Sequence, residues 1–158
     1  MYISKMNRIP IVVFTMFVLF VLTGTVNSQS SSDEEVLYDR LGGLASISVV
    51  VSDFMDDFMA DPLFFENPAV RERKTPESKP YIRYHLISMV CQATGGPCEY
   101  TGVDMREAHD GLNISDREWN RMVKIFAATL EKHNVPEQET RELFEILGST
   151  KDYIVVME

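Results

Sequence analysis

From Leu44 onward the apolar residues Ile47, Val50, Val51, Phe54 and Phe58 fall three and four apart. Side chains so spaced share one face of a helix, whereas a half-buried strand would alternate strictly. This stripe stops near Asp61-Pro62. A second, Ile82, Leu86, Met89, Val90 and Ala93, starts just after Pro80 and ends at Gly95-Gly96-Pro97, where two glycines and a proline break the period. Met105, Ala108, His109 and Leu112 form a shorter one. Ser115 with Glu118 three residues on is a capping box, and Trp119, Met122, Val123, Phe126, Ala127 and Leu130 follow at helical spacing. Pro136 suits the first turn of a last helix, with Leu143, Phe144 and Leu147 inward and Gly148 just past its end. The chain is therefore predicted to be all-α. Between Pro62 and Pro80 the pattern gives way to Leu63-Phe64-Phe65, Asn67-Pro68 and the charged run Arg71-Glu72-Arg73-Lys74, and an irregular connection is expected there.

The N-terminus reads as an address. Lys5 and Arg8 precede the apolar run Ile11 to Leu22, which is shorter than the roughly 20 residues a spanning helix needs. Val26-Asn27-Ser28 places compact residues before a cleavage point at Gln29. Residues 1–28 are thus expected to be a secretory signal peptide, with an uncleaved membrane signal anchor as the alternative. Residues 29–36 form a polar, flexible lead-in, and residues 37–158 the single domain. Export places the chain in the secretory lumen or outside the cell, without stable membrane association after cleavage. There Cys91 and Cys98 meet conditions that permit a disulfide across Thr94-Gly95-Gly96-Pro97, the alternative being two free thiols. Asn113-Ile114-Ser115 is a sequon for an N-glycan.

Charge narrows the partners. The chain carries 15 Lys and Arg against 24 Asp and Glu, a net −9, and loss of residues 1–28 moves it to −11. A basic surface that tracks phosphates is excluded on that balance, so no nucleic-acid partner is expected. Two cysteines outside any CxxC pair also argue against a cysteine-built zinc site.

Chemistry then falls to three histidines. His133 closes a helix, where an imidazole suits the helix dipole and needs no further role. His109 shares an apolar face with Met105 and Leu112; it is either a core residue or an axial ligand to haem iron. Its surroundings bear on the choice. The succession Leu37-Tyr38-Asp39-Arg40-Leu41-Gly42-Gly43, Val50-Val51-Ser52-Asp53-Phe54-Met55, Ala60-Asp61-Pro62, Gly95-Gly96-Pro97, Tyr100-Thr101-Gly102, Met105 and Ala108-His109 resembles that of the group I truncated haemoglobins. Order and spacing agree from about Leu37 to Val155.

The resemblance implies a two-over-two helical sandwich around one haem b, its iron held by His109. Phe64 or Phe65 matches the family's haem-packing phenylalanine, in a connection longer than is usual there. Phe54, Ile82, Leu86, Met89, Val90, Met105, Leu112, Ile114, Val123 and Phe126 are the expected apolar walls, ordinary core packing being the alternative for each. The distal side departs from the pattern. Met55 stands where the family has a tyrosine, Leu86 where it has a glutamine, and Ile82 lies one turn earlier; none can donate a hydrogen bond. Such a pocket should release dioxygen faster. His85, one position before Leu86, is the remaining distal imidazole: a second iron ligand, a hydrogen-bond donor to ligand or propionate, or a solvent-facing side chain. The expected function is reversible binding of dioxygen, carbon monoxide or nitric oxide. The alternatives are a nitric oxide dioxygenase or weak peroxidase, a bis-histidyl electron carrier or sensor using His109 and His85, and a cofactor-free helical interaction domain.

Overall fold

A computed structural model describes residues 35–156; the expected leader at residues 1–28 and most of the lead-in lie outside the described residues. The helices are α1 (Leu37–Arg40), α2 (Gly43–Ala60), α3 (Pro68–Arg73), α4 (Lys79–Ala93), α5 (Met105–His109), α6 (Asp116–Lys132), α7 (Glu137–Gly148) and α8 (Lys151–Ile154), with a 3₁₀ turn at Pro62–Phe65. Among the described residues the only strand-like pairing is an isolated bridge between Ile114 and Val155. The all-α expectation holds.

Helix α2 is the centre of the packing, lying against both α4 and α6. Gly42, at φ +83°, lets the chain reverse between α1 and α2, and a Cβ there would come within 2.6 Å of the Ser46 hydroxyl. The α2 stripe then buries Ile47, Val51 and Met55 against Ile82, Leu86 and Val90 of α4. One turn around the helix, Phe54 sets its ring edge-on to Phe126 of α6 at 5.6 Å. Phe58 reaches Phe64 of the 3₁₀ turn at 4.4 Å. Helix α6 opens with the expected capping box, in which the Ser115 hydroxyl accepts from the Glu118 N–H and the Glu118 carboxylate from the Ser115 N–H.

Three local expectations need correction. The Pro62–Pro80 connection is not irregular: Asp61 accepts from the Leu63 N–H (3.0 Å) to start the 3₁₀ turn, and Asn67 accepts from Ala69 and Val70 (3.0 and 3.3 Å) to start α3. Each unit is an Asx–Pro helix start too short to show a period. Pro136 is the N-cap of α7 rather than a residue of its first turn, Gly148 is that helix's last residue, and α8 follows it. Finally, His133 does more than end α6, since its Nε2 lies 2.8 Å from the Asp53 carboxylate and ties α6 to α2.

The link from α4 to α5 is also well held. Cys91 and Cys98 stand at disulfide distance, with Cα atoms 5.8 Å apart. Two residues further on, the Tyr100 N–H donates to the Gln92 side chain at 2.6 Å.

Candidate functional site

His109 is the last residue of α5, which starts at Asp104 where the carboxylate accepts from the Glu107 N–H at 2.8 Å. One turn back from His109 lies the Met105 carbonyl, 2.8 Å from Nδ1. A carbonyl only accepts, so Nδ1 carries the proton and Nε2 keeps the lone pair. Burial pushes His109 below the usual imidazole range and the charge of Arg73 adds to this, against the opposing pull of the Met105 carbonyl. A neutral imidazole, with its tautomer set by a hydrogen bond to one nitrogen, is the form that ligates a metal through the other.

The apolar surroundings fit a flat, greasy group. The core comprises three clusters rather than one: Phe64, Val70, Leu112, Ile114 and Ile125; Leu37, Leu130 and Leu143; and Ile47, Val51 and Met55. Phe54 packs against the first and third, and its neighbour Phe126 against the second. Met89, Met105 and Val123, on three different helices, are only half-buried and belong to none of the clusters. Along α4 Cys91 alone is buried, so Ile82, Leu86, Met89 and Val90 present a half-covered apolar face. These half-buried apolar side chains on α4, α5 and α6 are the kind of wall that a planar apolar ligand requires.

Of the distal candidates that the resemblance implies, Met55, Ile82 and Leu86 share one cluster. Met55 is buried at 2% exposure, and Ile82 and Leu86 pack on the same cluster. No hydrogen-bond donor enters the position from these three side chains. Leu112 and Ile114 are core residues, packed in one cluster with Phe64. Phe65 is not brought to that group: it is 40% exposed, and the Lys74 ammonium sits 4.0 Å over its ring.

His85 takes an unexpected place. Its ring is surrounded by Tyr81 at 4.3 Å, Tyr84 at 5.2 Å and Tyr100 at 5.8 Å, all edge-on. Its buried Nδ1 has no hydrogen-bond partner. Sequence reading also passed over three polar residues around the site. Arg73 donates to the Ala108 and Asp110 carbonyls, both at 2.9 Å. Asn67 donates to the Leu112 carbonyl at 2.9 Å. Lys74, nearly buried, donates to the Asp61 carbonyl at 3.1 Å. Asn67-Pro68 was a visible helix start, but no local signal announced the reach of Arg73 or Lys74.

A family profile described as bacterial-like globin matches residues 36–155. The group 1 truncated hemoglobin of Tetrahymena thermophila is 26% identical over 121 residues, covering 75% of this chain and 93% of that protein. The GlbN group 1 truncated hemoglobin of Nostoc commune is 24% identical over 123 residues, covering 75% and 96%. Among solved structures, the Fe(III) truncated hemoglobin of Tetrahymena pyriformis superposes with a TM-score of 0.67 at 22% identity, covering 78% of this chain and 100% of that one. The Synechococcus 2/2 hemoglobin with covalently attached heme gives 0.66 at 22% identity, covering 76% and 98%. These superpositions show the fold, a two-over-two helical sandwich.

Proposed function

Since the chain belongs to the bacterial-like globin family, we propose that it binds haem b through His109 and reversibly takes up dioxygen or another diatomic gas, carbon monoxide and nitric oxide included. The observation that carries the reading is His109 itself: a half-buried, neutral imidazole with Nδ1–H donated to Met105 and Nε2 left as a lone pair. Bound haem iron would supply an open coordination position for the gas. Phe54, Phe64, Leu86, Met89, Met105, Val123 and Phe126 would wall the porphyrin, exclude water and slow its loss, while Met55, Ile82 and Leu86 would face the ligand without donating to it. Pockets that lack donors favour release over retention, which supports carriage more than the dioxygenase or peroxidase alternative.

The test is the visible spectrum of residues 29–158 reconstituted with haemin, in ferric, ferrous and carbon-monoxide forms. A high-spin ferrous spectrum that shifts on carbon monoxide is expected, together with loss of stable haem in His109→Ala. Full haem occupancy in that variant would overturn the proximal assignment. A second reading rests on the orphaned Nδ1 of His85: if α4 turned to free this imidazole from its tyrosines, His85 would become a second iron ligand, and the ferrous spectrum would be low-spin.

The same proposal places the mature chain outside the cytoplasm, after removal of residues 1–28. Cys91 and Cys98 at disulfide distance suit an oxidising compartment, and Asn113 is exposed as a glycan acceptor requires. Among the described residues no helix is long and apolar enough to cross a membrane. The N-terminal residue and intact mass of the protein recovered from its native source decide between cleavage at Gln29, a retained anchor, and a glycosylated or unmodified Asn113.

A further inference from the structure

We infer that the folded segment from Asn67 to Arg73 is a clamp on α5, and that Arg73 and Asn67 are positioning residues for His109; the inference rests on the reading of His109 as the iron ligand. Helix α5 has five residues, none of them fully buried, and is far shorter than a helix that holds its own shape in water. Its last carbonyls have no partner within the helix. Beyond the Met105 bond to the imidazole and the packing of α5 on α8, something else must hold the main chain on either side of His109.

Three side-chain donors from one segment do so. Arg73 Nη1 meets the carbonyl of Ala108, the residue before His109, and Nη2 that of Asp110, the residue after it, each at 2.9 Å. The planar guanidinium presents these donors in a rigid fork, so the two carbonyls are held relative to each other as well as to α3. Asn67 Nδ2 meets the Leu112 carbonyl at 2.9 Å. The ligand's peptide is thereby gripped on both sides and again three residues on.

The clamp is itself anchored. Asn67 is the N-cap of α3, and its Nδ2 is shared with the buried Glu118 of α6 at 2.9 Å. Val70 sits in the same buried cluster as Leu112. The Arg73 carbonyl accepts from the Ser78 hydroxyl at 2.6 Å, and the next residue, Lys74, is driven inward against Phe58, Phe64 and Phe65. No carboxylate lies within ion-pair distance of Arg73 among the described residues. An exposed arginine without an acidic partner, both terminal nitrogens on main-chain oxygens, serves geometry rather than charge pairing.

The experiment compares the haem-loaded wild type with Arg73→Gln, Arg73→Lys and the control Arg117→Gln, whose arginine pairs with Glu66 at the surface. Two readouts are taken: the iron–histidine stretching band of the ferrous form, and amide hydrogen exchange of residues 105–112 in the haem-free chain. Arg73→Gln is expected to shift or broaden the band and to speed exchange at these amides by roughly tenfold, the loss of one to two hydrogen bonds. Lysine, with a point charge and no fork, should rescue neither, and Arg117→Gln should match wild type. An unchanged band and unchanged exchange in a folded Arg73→Gln overturn the clamp, as does a lowered unfolding midpoint with both readouts unmoved. If wild type is high-spin and shows no iron–histidine band, the proximal reading fails; in that case, or if a low-spin ferrous form hides the band, the clamp stands or falls on exchange at residues 105–112 alone.

Discussion

His109 is kept neutral by burial and by the nearby Arg73 charge, both of which act against protonation. The unfolded chain therefore binds a proton at this position more readily than the folded one. Stability is fully present above the ordinary imidazole pKa of about 6.5 and is lost as pH falls from there through the folded value. In the haem-free chain the urea midpoint should decline over that window, and His109→Gln should flatten the decline; an equal decline in the variant would show that other groups carry it. On the proposed reading Met55 would govern the opposite side. Replacement by tyrosine would bring a donor into an apolar cluster and should slow dioxygen release, measured by stopped flow, between roughly fivefold and a hundredfold. Because Met55 is only 2% exposed, the phenol must displace Ile82 or Leu86, and a loss of about 1–3 kcal/mol in stability should accompany the gain. An unchanged release rate would remove Met55 from the distal site.

The helices differ in what holds them. Helix α6 carries its own start signal, and Ser115→Ala should remove about 1 kcal/mol of unfolding free energy through loss of the cap to Glu118, read as a lower urea midpoint at unchanged slope. Helix α5 does not stand alone. Its Ala108 carbonyl, and the Asp110 and Leu112 carbonyls just beyond it, accept from side chains in a distant part of the chain, 35 residues away for Arg73 and Ala108 and 45 for Asn67 and Leu112. This explains what was legible. The stripes of α2, α4, α6 and α7 extend over three turns or more and are visible as periods. The 3₁₀ turn and α3, four and six residues long, are not, and the segment looked irregular for that reason alone. His85 was similarly ambiguous: its position in the α4 period left it near the pocket, and its edge-on contact with Tyr100, carried over by the loop, was not readable from that period.

Across the whole molecule, a bond between Cys91 and Cys98, which stand at disulfide distance, would tie the last turn of α4 to the loop that leads into α5, over a sequence separation of 7. So short a closure removes little chain entropy, and reduction should lower unfolding free energy by about 2 kcal/mol without loss of the fold. Urea titrations with and without a dithiol reductant, beside the Cys91→Ser, Cys98→Ser double variant, measure this; no difference on reduction would mean that the thiols are not bridged. The chain by itself determined which faces of the long helices are apolar and where the cap of α6 lies, because period and capping are properties of neighbouring residues. The tertiary structure alone decided that His109 is held by Arg73 and Asn67, that Lys74 anchors the segment between them and α4, and that His85 is enclosed by tyrosines. Those contacts join residues far apart in sequence, and a hydrogen-bond donor bears no mark of its acceptor until packing brings the two within reach.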